Sequence, residues 1–202
     1  QVVGVHDPNY VLRLSNLELT KKEVRKIGFP LSKGLVEREF VIAGGTLIGA
    51  EKALQSGIAM NIAGGTHHAF RSHGEAFCLL NDQAIAAQYL LDQNKAHQIL
   101  ILDLDVHQGN GTAEIFKNND SIYTCSVHGA KNYPFKKEKS DLDLEMADHT
   151  KDESYLEKIE LLLPRLLKKL RPDFIFYLCG VDVLGTDKLG RLDLSLEGCR
   201  RR

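Results

Sequence analysis

The chain has 202 residues, a formal net charge of −1, 43% hydrophobic residues and 26% charged ones. That profile suits a globular chain able to bury a real core, with one large domain as the simplest organisation across residues 1–202. It excludes the basic footprint of direct nucleic-acid binding, and no run of about 18 apolar residues marks a membrane span.

Four cysteines, Cys78, Cys125, Cys179 and Cys199, are widely spaced and form no CxxC pair. They read as free thiols in a reducing compartment, cytoplasmic or, in a eukaryote, nuclear. The opening QVVGVHDPNY lacks the basic start and long apolar stretch of a signal peptide. Both ends read as cut: there is no starting Met, and 197–202 reads as the start of a helix ending in a solvated Arg run.

In chain order, apolar residues at helical spacing predict a helix over 35–55, with Gly57 as its stop. The run IAMNIA predicts a strand over 58–63. A helix is expected over 77–92, a strand over 99–104 (ILILDL), a short helix over 111–117 and a strand over 121–127 (SIYTCSV). The segment 136–151 is charged and aperiodic and reads as a surface excursion. A helix over Asp152–Leu170 is marked by the stripe Tyr155, Leu156, Ile159, Leu162, Leu163, Leu166, Leu167 and Leu170. Pro164 predicts a kink or break in it, and Pro172 closes it. A last strand, FIFYLC, is expected over 174–179. Strands alternating with helices, each strand a continuous apolar run, imply an α/β chain with a mainly parallel central sheet.

In such sheets ligands bind beyond the carboxyl ends of the strands, and the chemistry-bearing residues fall there. Asp103, Asp105 and His107 share one face of the strand around 99–104 by its two-residue period. Two carboxylates and an imidazole converging at a buried strand end need compensation, and a divalent cation supplies it directly; a salt-bridged loop is the alternative. Asp182 follows the last strand; alone it could be a helix cap, but it completes an Asp/His/Asp set. Three protein ligands and one open position characterise a catalytic zinc, whereas a structural zinc favours cysteines. His67 and His68 follow Gly64 and Gly65 in GGTHHAF. They could be further ligands or general acid–base groups, with Asp103 and Asn110 as partners orienting their rings. His6, His73, His97 and His149 lie in polar, surface-like stretches.

Together the motifs GGTHHAF (64–70), AFCLLND (76–82), ILDLDVHQGNGT (101–112) and CGVDVLGTDKLG (179–190) resemble the histone deacetylase superfamily, with HDPNYV (6–11) a weaker match. The spelling DLDVHQGNG and the segment YPFKKE (133–138) resemble most the class IV type and the bacterial acetoin-utilisation and acetylpolyamine deacetylases. The resemblance implies a three-layer arginase/deacetylase-like α/β fold and zinc-dependent removal of acetyl, or longer acyl, groups from lysine side chains of proteins such as histones. Acetylated polyamines or other small amides are the alternative substrates, and an inactive acyl-lysine-binding protein is the non-enzymatic reading. A two-manganese ureohydrolase shares the fold but needs more ligands than are found here.

Carried over residue by residue, the resemblance implies zinc at Asp105, His107 and Asp182. It makes His68 the general base and then acid, and His67 a group that orients water. Asp103 takes the place of the partner of His67, and Asn110 that of the partner of His68, where class I members carry Asp. It implies an acyl channel built on Ala76, Phe77, Tyr133 and Leu189, and a potassium site at Asp103, Ser126 and Val127 with the backbone at Asp105 and His107. Gln108 stands where several members have a second His. The family's transition-state tyrosine is expected beyond Arg202, so that residues 1–202 alone should have little activity.

Overall fold

The apolar runs become strands because a parallel sheet covers its inner strands on both faces, which suits branched and aromatic side chains. The computed structural model, which describes residues 1–202, has four strands: β1 (Ile99–Asp103), β2 (Ile122–Gly129), β3 (Leu142–Met146) and β4 (Phe174–Leu178). All pair in parallel in the order β3-β2-β1-β4. The helices are α1 (Val2–Val5), α2 (Pro8–Ser15), α3 (Lys21–Ile27), α4 (Lys33–Ser56), α5 (Asp82–Asp92), α6 (Asn110–Phe116), α7 (Asp152–Leu170) and α8 (Leu196–Arg201), with a 3-10 turn at Val181–Val183. No helix is long and apolar enough to cross a membrane.

Two compact units divide the chain: Gln1–Ala96 with Asn110–Ile115, and His97–Gly109 with Phe116–Arg202. The first is helical, with α4 packed along α5 and α1 against α5. Its loops are fixed by side chains. Asn81 caps α5 by accepting from the Ala84 N–H, and its amide donates to the Ala69 carbonyl and the Thr112 hydroxyl.

The second unit is the parallel sheet covered by α7. Leu100, Leu102 and Leu104 from β1 and its extension pack with Tyr155, Leu156, Ile159 and Leu166 of α7, and Leu192 and Leu194 close the same cluster. α7 runs through Pro164 without a break. The proline removes one N–H donor but leaves the apolar stripe intact.

Three sequence expectations fail. Residues 58–63 form no strand, and Ile58, Met60 and Ile62 are exposed. The fifth helix starts at Asp82, not 77, because Ala76 and Phe77 hold positive φ values of 44° and 68° that no helix tolerates. The charged segment 136–151 contains β3, whose Leu142, Leu144 and Met146 alternate with Asp143 and Glu145. That alternation is a strand signal hidden by the surrounding charge.

Candidate active site

In the second unit, β1 and β4 end side by side, with Leu102 level with Tyr177 and Asp103 with Leu178. The Leu104 N–H continues the ladder by donating to the Leu178 carbonyl, so the loops that follow are held together from their first residue. Asp105, His107 and Asp182 converge there, with one ligand atom from each lying within 4.8 Å of the others. His107 Nδ1 is 3.1 Å from Asp105 Oδ1 and 3.0 Å from Asp182 Oδ2.

Backbone donors lock three carboxylates. Asp105 Oδ1 accepts from the His107 N–H at 2.8 Å, Asp182 Oδ1 from the Val106 N–H at 3.1 Å, and Asp103 Oδ1 from the Asp105 N–H at 3.0 Å. Gly180 makes the cluster geometrically feasible, since a Cβ at this position would overlap the Asp105 carboxylate. Burial alone would lower the His107 pKa, but hydrogen bonds and charge from Asp105 and Asp182 overturn that and raise it to about 9. The imidazolium thus stands between two carboxylates as a cation would. Two hard carboxylate oxygens and an imidazole nitrogen, with no thiolate, suit a divalent ion such as zinc.

Arg202 is not part of a solvated face. Its guanidinium donates to the Leu104 carbonyl at 2.7 Å and the Gly180 carbonyl at 2.5 Å, tying together the residue before Asp105 and the residue two before Asp182. Arg200, by contrast, is exposed and pairs with Glu197.

In the first unit the histidine loop hangs on Asp82, which sequence reading passed over although it closes the AFCLLND motif. This buried carboxylate accepts from the Gly65 N–H, the Thr66 N–H, the Thr66 hydroxyl and the Thr46 hydroxyl. The start of α6 grips the same loop, with the Thr112 N–H donating to the His67 carbonyl. Gly111 allows that approach, because a Cβ would strike the Ala69 carbonyl. His67 and His68 are both buried, their ring centres 4.1 Å apart. His68 Nδ1 lies 2.6 Å from Asn110 Oδ1, the pairing expected from sequence.

A model of the histone deacetylase domain matches residues 1–202. The chain belongs to the histone deacetylase family. It is 45% identical over 198 residues to an uncharacterized protein of Picosynechococcus sp., covering 98% of this chain and 66% of that protein. It is 37% identical over 191 residues to the histone deacetylase clr6 of Schizosaccharomyces pombe, covering 84% of this chain and 44% of that one. Among solved structures, the HDAC homolog from Aquifex aeolicus superposes with a TM-score of 0.85 at 24% identity, over 98% of this chain and 59% of that one. The chain therefore spans between under half and two thirds of the length of these relatives. The structural likeness bears out the deacetylase-like fold, with its parallel sheet and accompanying helices.

The remaining residues expected at the site from sequence fall as follows. Ser126 is level with Asp103 on the adjoining strand, both buried, and Val127 follows it on β2. Ala76 and Phe77 occupy a tight turn whose positive φ values are held by N–H bonds to the Lys26 and Ile27 carbonyls. Such backbone strain persists where surroundings over-determine it and clusters at functional sites. The Phe77 ring packs on Phe29 with centres 4.9 Å apart, and half of the residue is exposed. In the second unit Tyr133 is half-buried and Leu189 exposed, the Leu189 carbonyl being held by the Asn132 amide at 2.9 Å. His6 is fully buried, contrary to the sequence expectation: it bridges the Phe70 carbonyl and the Asn81 N–H.

Proposed function

We propose that this family member is a zinc-dependent deacetylase that hydrolyses the amide of an acyl-lysine side chain. The observation that carries the reading is the convergence of Asp105, His107 and Asp182 in one cluster, in a chain of the histone deacetylase family. That the metal cluster of one unit and the histidine pair of the other serve one substrate is what the family resemblance supplies.

A zinc ion held by those three ligands would polarise the amide carbonyl and acidify an attacking water. His68, whose Nδ1 is engaged by Asn110, presents Nε2 as the base. It accepts a proton from the attacking water and returns it to the departing amine nitrogen, so that water and amide become carboxylate and amine. His67 orients the water. By the family resemblance, Phe77 and the Ala76 backbone of one unit and Tyr133 and Leu189 of the other would each contribute a flat or aliphatic wall suited to an extended lysine stem. A potassium ion near Asp103, Ser126 and the Val127 backbone would offset the carboxylate charge at the end of β1.

The test is turnover by the zinc-loaded full-length protein on an acetyl-lysine histone peptide, a longer-acyl peptide and an acetylated polyamine. Activity on the peptides that is lost on chelation and in His68→Ala supports the reading. Preference for the polyamine would move the substrate class to small amines. Two tightly bound manganese ions per chain, or no turnover of any of the three, would refute it.

A further inference from the structure

Asn110 poses a problem that an aspartate would not. A carboxylate can only accept, so it forces the histidine it faces to donate. An amide has one accepting and one donating end, and turning it over reverses the histidine's role. With Asn110 Oδ1 toward His68, Nδ1 carries the hydrogen and Nε2 is left as a base. With Nδ2 toward His68, Nδ1 must accept, Nε2 carries the hydrogen, and the base is lost.

Glu75 stands on the other side of that amide. Its Oε1 is 3.5 Å from Asn110 Nδ2, a long contact, and its side chain is largely buried. Its Oε2 is ion-paired with Lys26, and His73 Nε2 lies 3.5 Å away. Lys26 also lies 2.8 Å from His73 Nε2 and sits over the Phe70 ring, against which His73 stacks. Paired with the Lys26 ammonium, the Glu75 carboxylate acts as an acceptor only. The amide end facing it must be Nδ2, which turns Oδ1 to His68.

We propose that Glu75 is a positioning residue that fixes the orientation of the Asn110 amide and thereby holds His68 in the tautomer with an unprotonated Nε2. It does so from the helical unit alone, through residues that all belong to that unit. The catalytic consequence rests on the function proposed above; the tautomer does not.

The experiment uses zinc-loaded full-length protein with 15N-labelled histidine, the His68 signals being assigned by their loss in His68→Gln. Wild-type His68 should show a protonated Nδ1 and an unprotonated Nε2. Glu75→Met should shift it toward the Nε2–H tautomer and lower kcat by about 10-fold or more, with little change in KM. Glu75→Gln, which still offers an oxygen to Asn110, should retain most of the wild-type tautomer. Glu75→Met combined with Asn110→Asp should restore both tautomer and kcat, because a carboxylate at 110 needs no orienting. An Nε2–H tautomer in the wild type overturns the proposal without any variant. So does an unshifted His68 in Glu75→Met, or failure of the double variant to recover its tautomer. A wild type inactive on every amide sinks the functional reading, while the tautomer measurement still decides the role of Glu75.

Discussion

Acid should weaken the helical unit through His6, whose effect can be separated from that of the carboxylates. Burial is the main cause that lowers its pKa from 6.5 to about 4, against hydrogen bonds to the backbone at Phe70 and Arg71 that pull the other way. Nδ1 donates to the Phe70 carbonyl and Nε2 accepts from the Asn81 N–H, so the neutral ring fills both roles. Protonation would set two N–H donors against each other at Asn81. Because the folded-state pKa lies below the unfolded one, the stability contributed by neutral His6 is complete above pH 6.5. It is lost as pH falls from 6.5 toward 4. At ~1.4 kcal/mol per pH unit, that interval corresponds to about 3 kcal/mol. The assay is urea unfolding of wild type and His6→Gln between pH 7.5 and 4. Glutamine can donate and accept at the same place but does not titrate. Subtracting the two profiles cancels the acid titration of the carboxylates. The difference should move by about 3 kcal/mol toward the variant as pH drops. A difference that stays flat over this range would refute the reasoning.

Gly180→Ala should lower zinc affinity by about 10-fold or more in chelator competition, since the new Cβ displaces the Asp105 carboxylate; unchanged affinity would show that the cluster yields freely. Zinc uptake below pH 9 should release a proton from His107, whose pKa lies near 9 in the metal-free chain. Calorimetry in buffers of different ionisation enthalpy should detect that proton, and the apparent affinity should rise with pH up to that value. Asp82→Ala should cost about 2 kcal/mol by stranding the part-buried donors of Gly65 and Thr66. A thermal melt would check it, and a near-neutral result would mean that the loop rearranges to find other acceptors.

The strands 99–104 and 121–127 were legible because burial along a parallel sheet writes itself as an uninterrupted apolar run; 174–179 was legible from its aromatic and β-branched residues, although Ile175 and Tyr177 are exposed at the sheet edge. The Asp/His/Asp cluster was legible because strand ends and ligand-type residues coincide at Asp105, His107 and Asp182. The His68–Asn110 pair was legible only as an expectation, since no spacing rule joins two residues so far apart in sequence. The run 58–63 has the composition of a strand but finds no ladder partner in residues 1–202, and composition cannot supply one. β3 failed for the opposite reason: three apolar residues in strict alternation were outvoted by the lysines around them. Asp82, Glu75 and Arg202 act through backbone groups or through another side chain, so their roles depend on tertiary placement and leave no local pattern. His6 looked superficial among polar neighbours, yet its ring replaces two backbone partners in the interior.

Both clusters use the same construction. A carboxylate accepts N–H groups from the loop that carries the reactive residue: Asp82 under Gly65 and Thr66 in one unit, Asp105 and Asp182 under His107 and Val106 in the other. A carboxylate is a rigid acceptor with two directions to offer, so one side chain can pin several consecutive backbone donors. In the helical unit that capacity goes to shaping the histidine loop and to holding Thr46 of α4. In the sheet unit the same carboxylates keep a second oxygen or lone pair turned inward, toward His107. The ligand loops there are already fixed by their own backbone bonds and by Arg202 across the Leu104 and Gly180 carbonyls. A cation entering the cluster therefore meets ligands whose positions are set, and most of what it must do is displace the His107 proton.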